Sequence, residues 1–388
     1  MLKVFKKNCV LITCVFLLIS LGVLFIYSAS SYSALNNYND SFYFVKKQLF
    51  GVFAGFLVMM FFINFNYHNF LKLKWVVVVV SVVLLLLVFI PGLGKNNYGA
   101  NRWITIAGIS LQSSEIAKFG FVIFTACYLS KNFKKIKTIL GIIPILAVGG
   151  TICLLILLEP NLSVTLCVGM VMLIMLVVGG IRAKHFLLLL IPAILIVPVL
   201  IIVEPYRLQR LMAFIDPWAS PKEEGFQLIQ SLYALGSGGL FGVGLFNSRQ
   251  KYLFLPFSES DFIFSIIGEE FGFVGTVLII LIYAVVIWKG IKISLMACDR
   301  LGCYMAAGIT SIIAVQLLIN IAVVTGSIPP TGIPLPFMSA GGTSLMVFMG
   351  AVGILLNISK GEEQNLNRVN VFKNLKAKQN KKVLKGAN

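Results

Sequence analysis

The runs Cys9–Ala29, Trp75–Ile90 and Ser163–Ile181 contain no charged residue. Each approaches the ~20 residues that an α-helix needs to cross a bilayer. In hydrocarbon every backbone N–H and C=O must be bonded internally, which leaves helices or a closed barrel. Continuous apolar runs in place of alternation exclude the barrel. The composition agrees, since 59% of the 388 residues are hydrophobic, above the roughly half found in soluble domains. The pattern predicts an all-α polytopic membrane protein with about ten transmembrane helices. They fall near 9–30, 48–65, 72–90, 113–130, 138–158, 162–181, 185–203, 262–288, 304–325 and 340–358. The first run is long for the apolar core of a signal peptide, and Tyr27-Ser28-Ala29-Ser30 is a weak cleavage site. It is read as a retained first helix.

Charge sets the orientation. Lys and Arg favour the cytoplasmic side of a membrane. Most of the 32 Lys and Arg fall into alternate loops, at Lys3, Lys6, Lys7, Lys72, Lys74, Lys131–Lys137, Arg182, Lys184, Lys289, Lys292 and Arg300, and in the tail after Ser359. Only Asp299, Glu362 and Glu363 among the 14 acids share that side. Both termini are therefore expected to be cytoplasmic, and the loops near 31–47, 91–112, 204–261 and 326–339 to face outward. The formal charge of +18 is then mostly topology, with contact to anionic membrane lipid and no nucleic-acid partner. Residues 1–358 form one transmembrane domain, and 359–388 a basic tail of disordered composition. The seven cysteines lie mostly in apolar runs without a C-x-x-C pair, and His68 and His185 stand alone at helix ends. These features read as packing, and no metal motif is visible.

Function concentrates in the outward loops. Glu204–Asp261 is the one long polar stretch, and Asp261 stands at the lip of the apolar run that Phe262-Ile263-Phe264 begins. Apolar neighbours would raise its pKa and Arg249 or Lys251 would lower it. Such a carboxylate can take a proton from a hydroxyl, and it can also cap the helix that starts there. Residues 236–251 hold five glycines, followed by Arg249 and Lys251, cations suited to a diphosphate. The stretch resembles a phosphate cradle only loosely, because no strand precedes it. In 91–118, Arg102 and Trp103 precede Gln112-Ser113-Ser114-Glu115-Ile116-Ala117-Lys118. Trp103 suits a membrane interface, and Ser113 or Ser114 can cap the next helix. Glu115 and Lys118 face each other at i, i+3, as a functional pair or a structural one. The four prolines and the glycines of 328–343, which include Ser339, force irregular backbone near membrane depth. Such backbone is tolerated where protein buries it or where it lines a wet cavity.

Together these segments resemble the SEDS family (shape, elongation, division and sporulation; the FtsW, RodA and SpoVE proteins). The matches are Gly99–Ile104, Gln112–Lys118, Gly238–Gly244, Asp261–Phe264 with Gly268-Glu269-Glu270, and Pro330–Gly342, in family order. The resemblance implies a peptidoglycan glycosyltransferase that polymerises lipid II outside the cytoplasmic membrane, partnered by a class B penicillin-binding protein. It implies that Asp261 is the general base. Arg102, Trp103, Glu115, Lys118, Arg249, Lys251 and Ser339 would lie near the substrate, with a divalent cation (Mg or Mn) on the diphosphate. Two other readings stay open: a lipid II transporter, and a weakly active paralogue that recruits a penicillin-binding protein. The family's Gln-Pro-Asp-Leu-Gly-Thr stands here as Glu159-Pro160-Asn161-Leu162-Ser163-Val164. Its Leu-Pro-Glu before the key acid stands as Leu255-Pro256-Phe257, and its Gln-Pro-Ser-Glu as Gln112-Ser113-Ser114-Glu115.

Overall fold

The computed structural model describes residues 6–97, 100–106 and 109–361. Gly99 of the 99–104 motif and most of the expected basic tail lie outside the described residues. Ten of the described helices correspond to the ten expected spans. They are α1 (Cys9–Tyr38), α2 (Tyr43–Asn64), α3 (Phe70–Leu87), α4 (Ser113–Asn132), α5 (Ile139–Leu158), α6 (Leu162–Val178), α7 (Ala183–Ile202), α10 (Ile263–Met296), α11 (Arg300–Val324) and α12 (Gly342–Gly361). Between α7 and α10 lie α8 (Pro205–Ile215) and α9 (Phe226–Gly238). Eight described helices are long and apolar enough to cross a membrane, and Leu162–Val178 is a shorter apolar helix. The helix Ser113–Asn132 carries Glu115, Lys118 and Lys131 within it. The chain is a multi-pass membrane protein.

The core runs through α1, α4, α10, α11 and α12, where Phe25, Val122, Ile267, Ile312, Phe348 and Leu356 are all buried in one cluster. By contrast α7 buries none of its residues, so its apolar surface is left for lipid. The start of α1 and the end of α12 share one end of the bundle, where the Asn8 side-chain amide donates to the Ser359 hydroxyl at 2.7 Å. At the opposite end the interhelical segments meet. Thr343 donates to the Ser110 carbonyl at 2.7 Å, Arg210 to Pro330 at 3.3 Å and Ser339 to Ser260 at 2.6 Å.

Two segments read as loops are ordered. β1 (Gly94–Asn97), β2 (Ala100–Ile106) and β3 (Ile109–Gln112) form a three-stranded antiparallel sheet in that order. Trp103 pairs with Lys95 and with Gln112 in it. A hairpin this short carries little periodicity, and its glycines read as turns. The long polar stretch is also mostly helical. α8 is amphipathic, with Tyr206, Met212 and Ile215 exposed on it. α9 is pinned to the bundle through Ser231, whose hydroxyl bonds the Ser265 hydroxyl and the Val324 carbonyl, each at 2.8 Å.

The glycine-rich residues 238–244 close on α10 instead of forming an open cradle. α10 breaks at Gly272 (φ 66, ψ −165), a backbone region essentially confined to glycine. The break lets the Val243 and Gly244 N–H groups reach the Glu269 and Glu270 carbonyls at 2.9 and 3.1 Å. Phe273 and Val274 return the bonds to Gly239 and Leu240 at 2.9 and 3.0 Å. A Cβ on Gly242 would lie 2.1 Å from the Glu270 carbonyl oxygen, and one on Gly238 2.0 Å from that of Gly268. The close backbone approach that these glycines permit is made to a helix of the same chain.

Candidate functional site

Asp261 occupies the last turn before α10. The turn is tied by Ser260 N–H and Phe262 N–H to the Phe257 carbonyl at 3.1 and 3.3 Å, with Phe257 in left-handed backbone at φ 55. That conformation costs a non-glycine residue roughly 1–2 kcal/mol, and such strain collects at functional sites. One bond from α11 and two from the proline-rich segment hold the turn. Asn320 of α11 donates to both the Asp261 and Ile333 carbonyls at 2.9 Å. Ser339 accepts from Leu335 N–H at 2.7 Å while donating to Ser260. Ala340 N–H donates to the Glu259 carbonyl at 2.9 Å. The Ser339 hydroxyl is thus spent on fixing the backbone beside Asp261.

The Asp261 carboxylate, in contrast, makes no hydrogen bond to any described residue and keeps partial access to solvent. The N-cap of α10 is Phe262, and no side chain caps it, so Asp261 does not act as the cap that its position suggested. Gly332 lies over it, where a Cβ would stand 3.1 Å from Asp261 Oδ2. Burial first, and then Glu259 in the same turn, push its carboxyl up to about 6, against the pull of Arg210 and Arg102. Burial also raises Glu259. An acid with that value is mostly ionised at neutral pH yet basic enough to accept a proton.

The cations acting on Asp261 are therefore Arg210 and Arg102, where the sequence suggested Arg249 and Lys251. Arg210 sits on α8 with its guanidinium 4.5 Å over the Tyr206 ring. It also lines a cavity of about 190 Å³ with Glu223, Glu224, Phe226, Gln227, Pro256 and Pro330. Arg102 reaches from β2 to the main-chain carbonyls of Glu159 (3.3 Å) and Pro160. Both were visible as charges in the sequence. What brings Arg210 into place is its register on an amphipathic helix inside a stretch read as loop.

Lys251 and Arg249 belong to a second arrangement. The Lys251 ammonium, 6% exposed, lies 3.8 Å from Glu270 Oε1 and also bonds the Phe246 carbonyl. Glu269 accepts from Arg249 N–H at 2.9 Å, from Gln250 N–H and from the Ser248 hydroxyl. Glu270 accepts from Ser28 at 2.5 Å and from Ser248 N–H at 3.3 Å. The paired acids staple the 246–251 loop to α10, and the Arg249 side chain is exposed. Deeper in the bundle Lys118 and Glu115 bond at 2.7 Å with exposures of 1% and 0%. Ser344 of α12 donates to Glu115 Oε2 at 3.1 Å. Neither Ser113 nor Ser114 caps α4; the Ser113 hydroxyl goes instead to Glu159 at 3.1 Å.

The residues around Asp261 do not by themselves fit a resident metal. The charges acting on it are Glu259 and two guanidiniums, and no group of three or more His, Cys, Asp or Glu able to hold an ion forms among the described residues.

Comparison with known proteins follows the same outline. The model of the FtsW, RodA and SpoVE proteins, described as "Cell cycle protein", matches residues 8–364. Stage V sporulation protein E of Bacillus subtilis is 42% identical over 357 residues, covering 92% of this chain and 97% of that protein. A probable peptidoglycan glycosyltransferase FtsW of Geobacter sulfurreducens is 38% identical over 341 residues, covering 87% and 91%. Among solved structures, a chain of a peptidoglycan synthase complex superposes with a TM-score of 0.75 at 24% identity, covering 91% of this chain and 98% of its own. The rod shape determining protein RodA of Thermus thermophilus does so at 0.66 and 22%, covering 90% and 95%. The solved structures share the fold.

Proposed function

We propose, from the premise that this chain belongs to the FtsW, RodA and SpoVE family, that it is a peptidoglycan glycosyltransferase using lipid II, with Asp261 as general base. Relatives that carry the name peptidoglycan glycosyltransferase support the activity. The observation that carries the mechanism is the Asp261 carboxylate, held by its backbone, free of side-chain partners and pushed up to about 6. The 4-hydroxyl of the acceptor GlcNAc attacks the anomeric carbon of the donor, and Asp261 takes the hydroxyl proton. A new glycosidic bond forms as the anomeric C–O bond breaks, and undecaprenyl diphosphate leaves with the electron pair. Arg102 and Arg210 offer guanidiniums suited to the negative charge that grows on the diphosphate. A divalent cation would enter only as a companion of that diphosphate, neutralising part of its charge.

The charge bias of the loops supports an outer-face reaction at the cytoplasmic membrane, with both termini inside. The neighbour in a peptidoglycan synthase complex supports a class B penicillin-binding protein as partner. The test is lipid II polymerisation by wild type and Asp261→Asn, with and without that partner. Glycan is expected from the wild type and none from the variant, at equal thermal stability. Normal polymerisation by Asp261→Asn would refute the mechanism. Lipid II flipping that survives in the variant, with no polymer made by either protein, would favour transport.

A further inference from the structure

Glu159 is a buried acid that the reaction above leaves unused. It closes α5, with its N–H on the Leu155 and Ile156 carbonyls at 3.2 Å. Its side chain is 0% exposed. Oε1 accepts from Ser113, and Oε2 has no partner. A buried carboxylate with an unpartnered oxygen is costly in its charged form. The backbone at Glu159 and Pro160 is also what holds the Arg102 guanidinium. Arg102 feels Asp261 and Glu159 together, along with Tyr206 and Arg210. One cation is therefore held by the backbone of Glu159 and Pro160 while two carboxyls, those of Asp261 and Glu159, act on it.

We infer that Glu159 is a positioning residue acting through Arg102: neutral, it leaves the guanidinium to Asp261 and the substrate diphosphate, and ionised, it draws that charge to itself. The inference rests on the polymerase reading above. Two groups act on the Glu159 carboxyl: the Ser113 hydroxyl from α4 and the Arg102 guanidinium from β2. From α6, Asn161 spends its side chain on Val164 N–H at 3.3 Å. Burial outweighs both partners and pushes Glu159 up to about 8. The neutral form thus dominates at neutral pH, and the ionised form takes over just above it. Asp261 limits the reaction from the acid side and Glu159 from the alkaline side.

The experiment is the pH profile of lipid II polymerisation by the full chain in nanodiscs, for wild type, Glu159→Gln and Ser113→Ala. The wild-type rate should fall above pH about 8, by roughly tenfold over the next unit. Glu159→Gln keeps an acceptor for Ser113 but cannot ionise, so its decline should move upward by about a unit or more. Ser113→Ala removes a bond that favours the ionised form, so its decline should move the same way by less. Infrared difference spectra of wild type against Glu159→Gln should show a protonated carboxyl that vanishes over the same range, without turnover. Superimposable profiles, or a Glu159 carboxyl already ionised at neutral pH, would overturn this inference and leave the polymerase reading standing. No polymer from the wild type at any pH would overturn both.

Discussion

The acid side of the same profile tests the environment of Asp261. A general base works only ionised, so the rate should rise with pH through about 6. At pH 5 roughly a tenth of the enzyme would be competent, whereas an aspartate at its ordinary 3.8 would still be about nine-tenths ionised. Charge substitutions should then move this limb in opposite directions. Glu259 raises Asp261, so Glu259→Gln should lower its value and carry the limb to lower pH. Arg210 lowers it, so Arg210→Gln should carry the limb to higher pH. Glu259 and Asp261 are two residues apart in one turn, so their Cα atoms lie within roughly 7 Å, and a carboxyl separation of about 8 Å is taken as representative. At that separation and an effective dielectric of about 40, two unit charges interact by about 1 kcal/mol, or ~0.7 of a pH unit. Burial raises Glu259 and so works against its charge, which makes this figure an upper bound on the shift. The assay is the initial rate of lipid II polymerisation at constant ionic strength. Each variant is scaled to its own maximum, because Arg210→Gln should also lose affinity for the diphosphate. Limbs that coincide, or that move the same way, would refute the placement of these charges around Asp261.

Three further outcomes follow from the packing. Lys118→Met strands Glu115 as a buried unpaired acid and should cost about 3–5 kcal/mol in thermal or denaturant unfolding. Adding Glu115→Gln should restore most of that, and a stable double variant that makes no glycan would assign the pair to the substrate. Gly332→Ala puts a methyl 3.1 Å from Asp261 Oδ2 at a position whose φ needs no glycine, so polymerisation should fall severalfold with unfolding unchanged. Gly272→Ala places a Cβ 2.3 Å from Gly242 N and 2.6 Å from the Leu240 carbonyl at φ +66. It should cost at least about 2 kcal/mol in the same unfolding measurement.

The parts of this molecule legible in its sequence are those whose physics is one-dimensional. A charge-free run long enough to span hydrocarbon must be helical, so the ten helices emerge within a few residues of their expected ends, although α1 runs on to Tyr38 and α10 to Met296. Asp261 stood out in the sequence because it is an acid where an apolar helix begins. Its partners did not, because charge proximity across loops is a three-dimensional property. Lys251, ten residues before Asp261, is committed to Glu270 at 3.8 Å, while Arg210, fifty-one residues before it, is carried in by α8. The glycines of 238–244 show the same limit from the other side. Their freedom was visible, but which backbone they approach is decided by the break in α10. Glu159 joins both lessons. In the chain it registered only as an acid two residues before the place where the family's pattern puts one. Only with Ser113 on one oxygen, nothing on the other and Arg102 bound by its own backbone does it acquire a chemical consequence. A site assembled from four separate interhelical segments can gain or lose a titrating group in one segment without disturbing the others. The pH range of such an enzyme is then free to shift while the proposed base, Asp261, stays fixed.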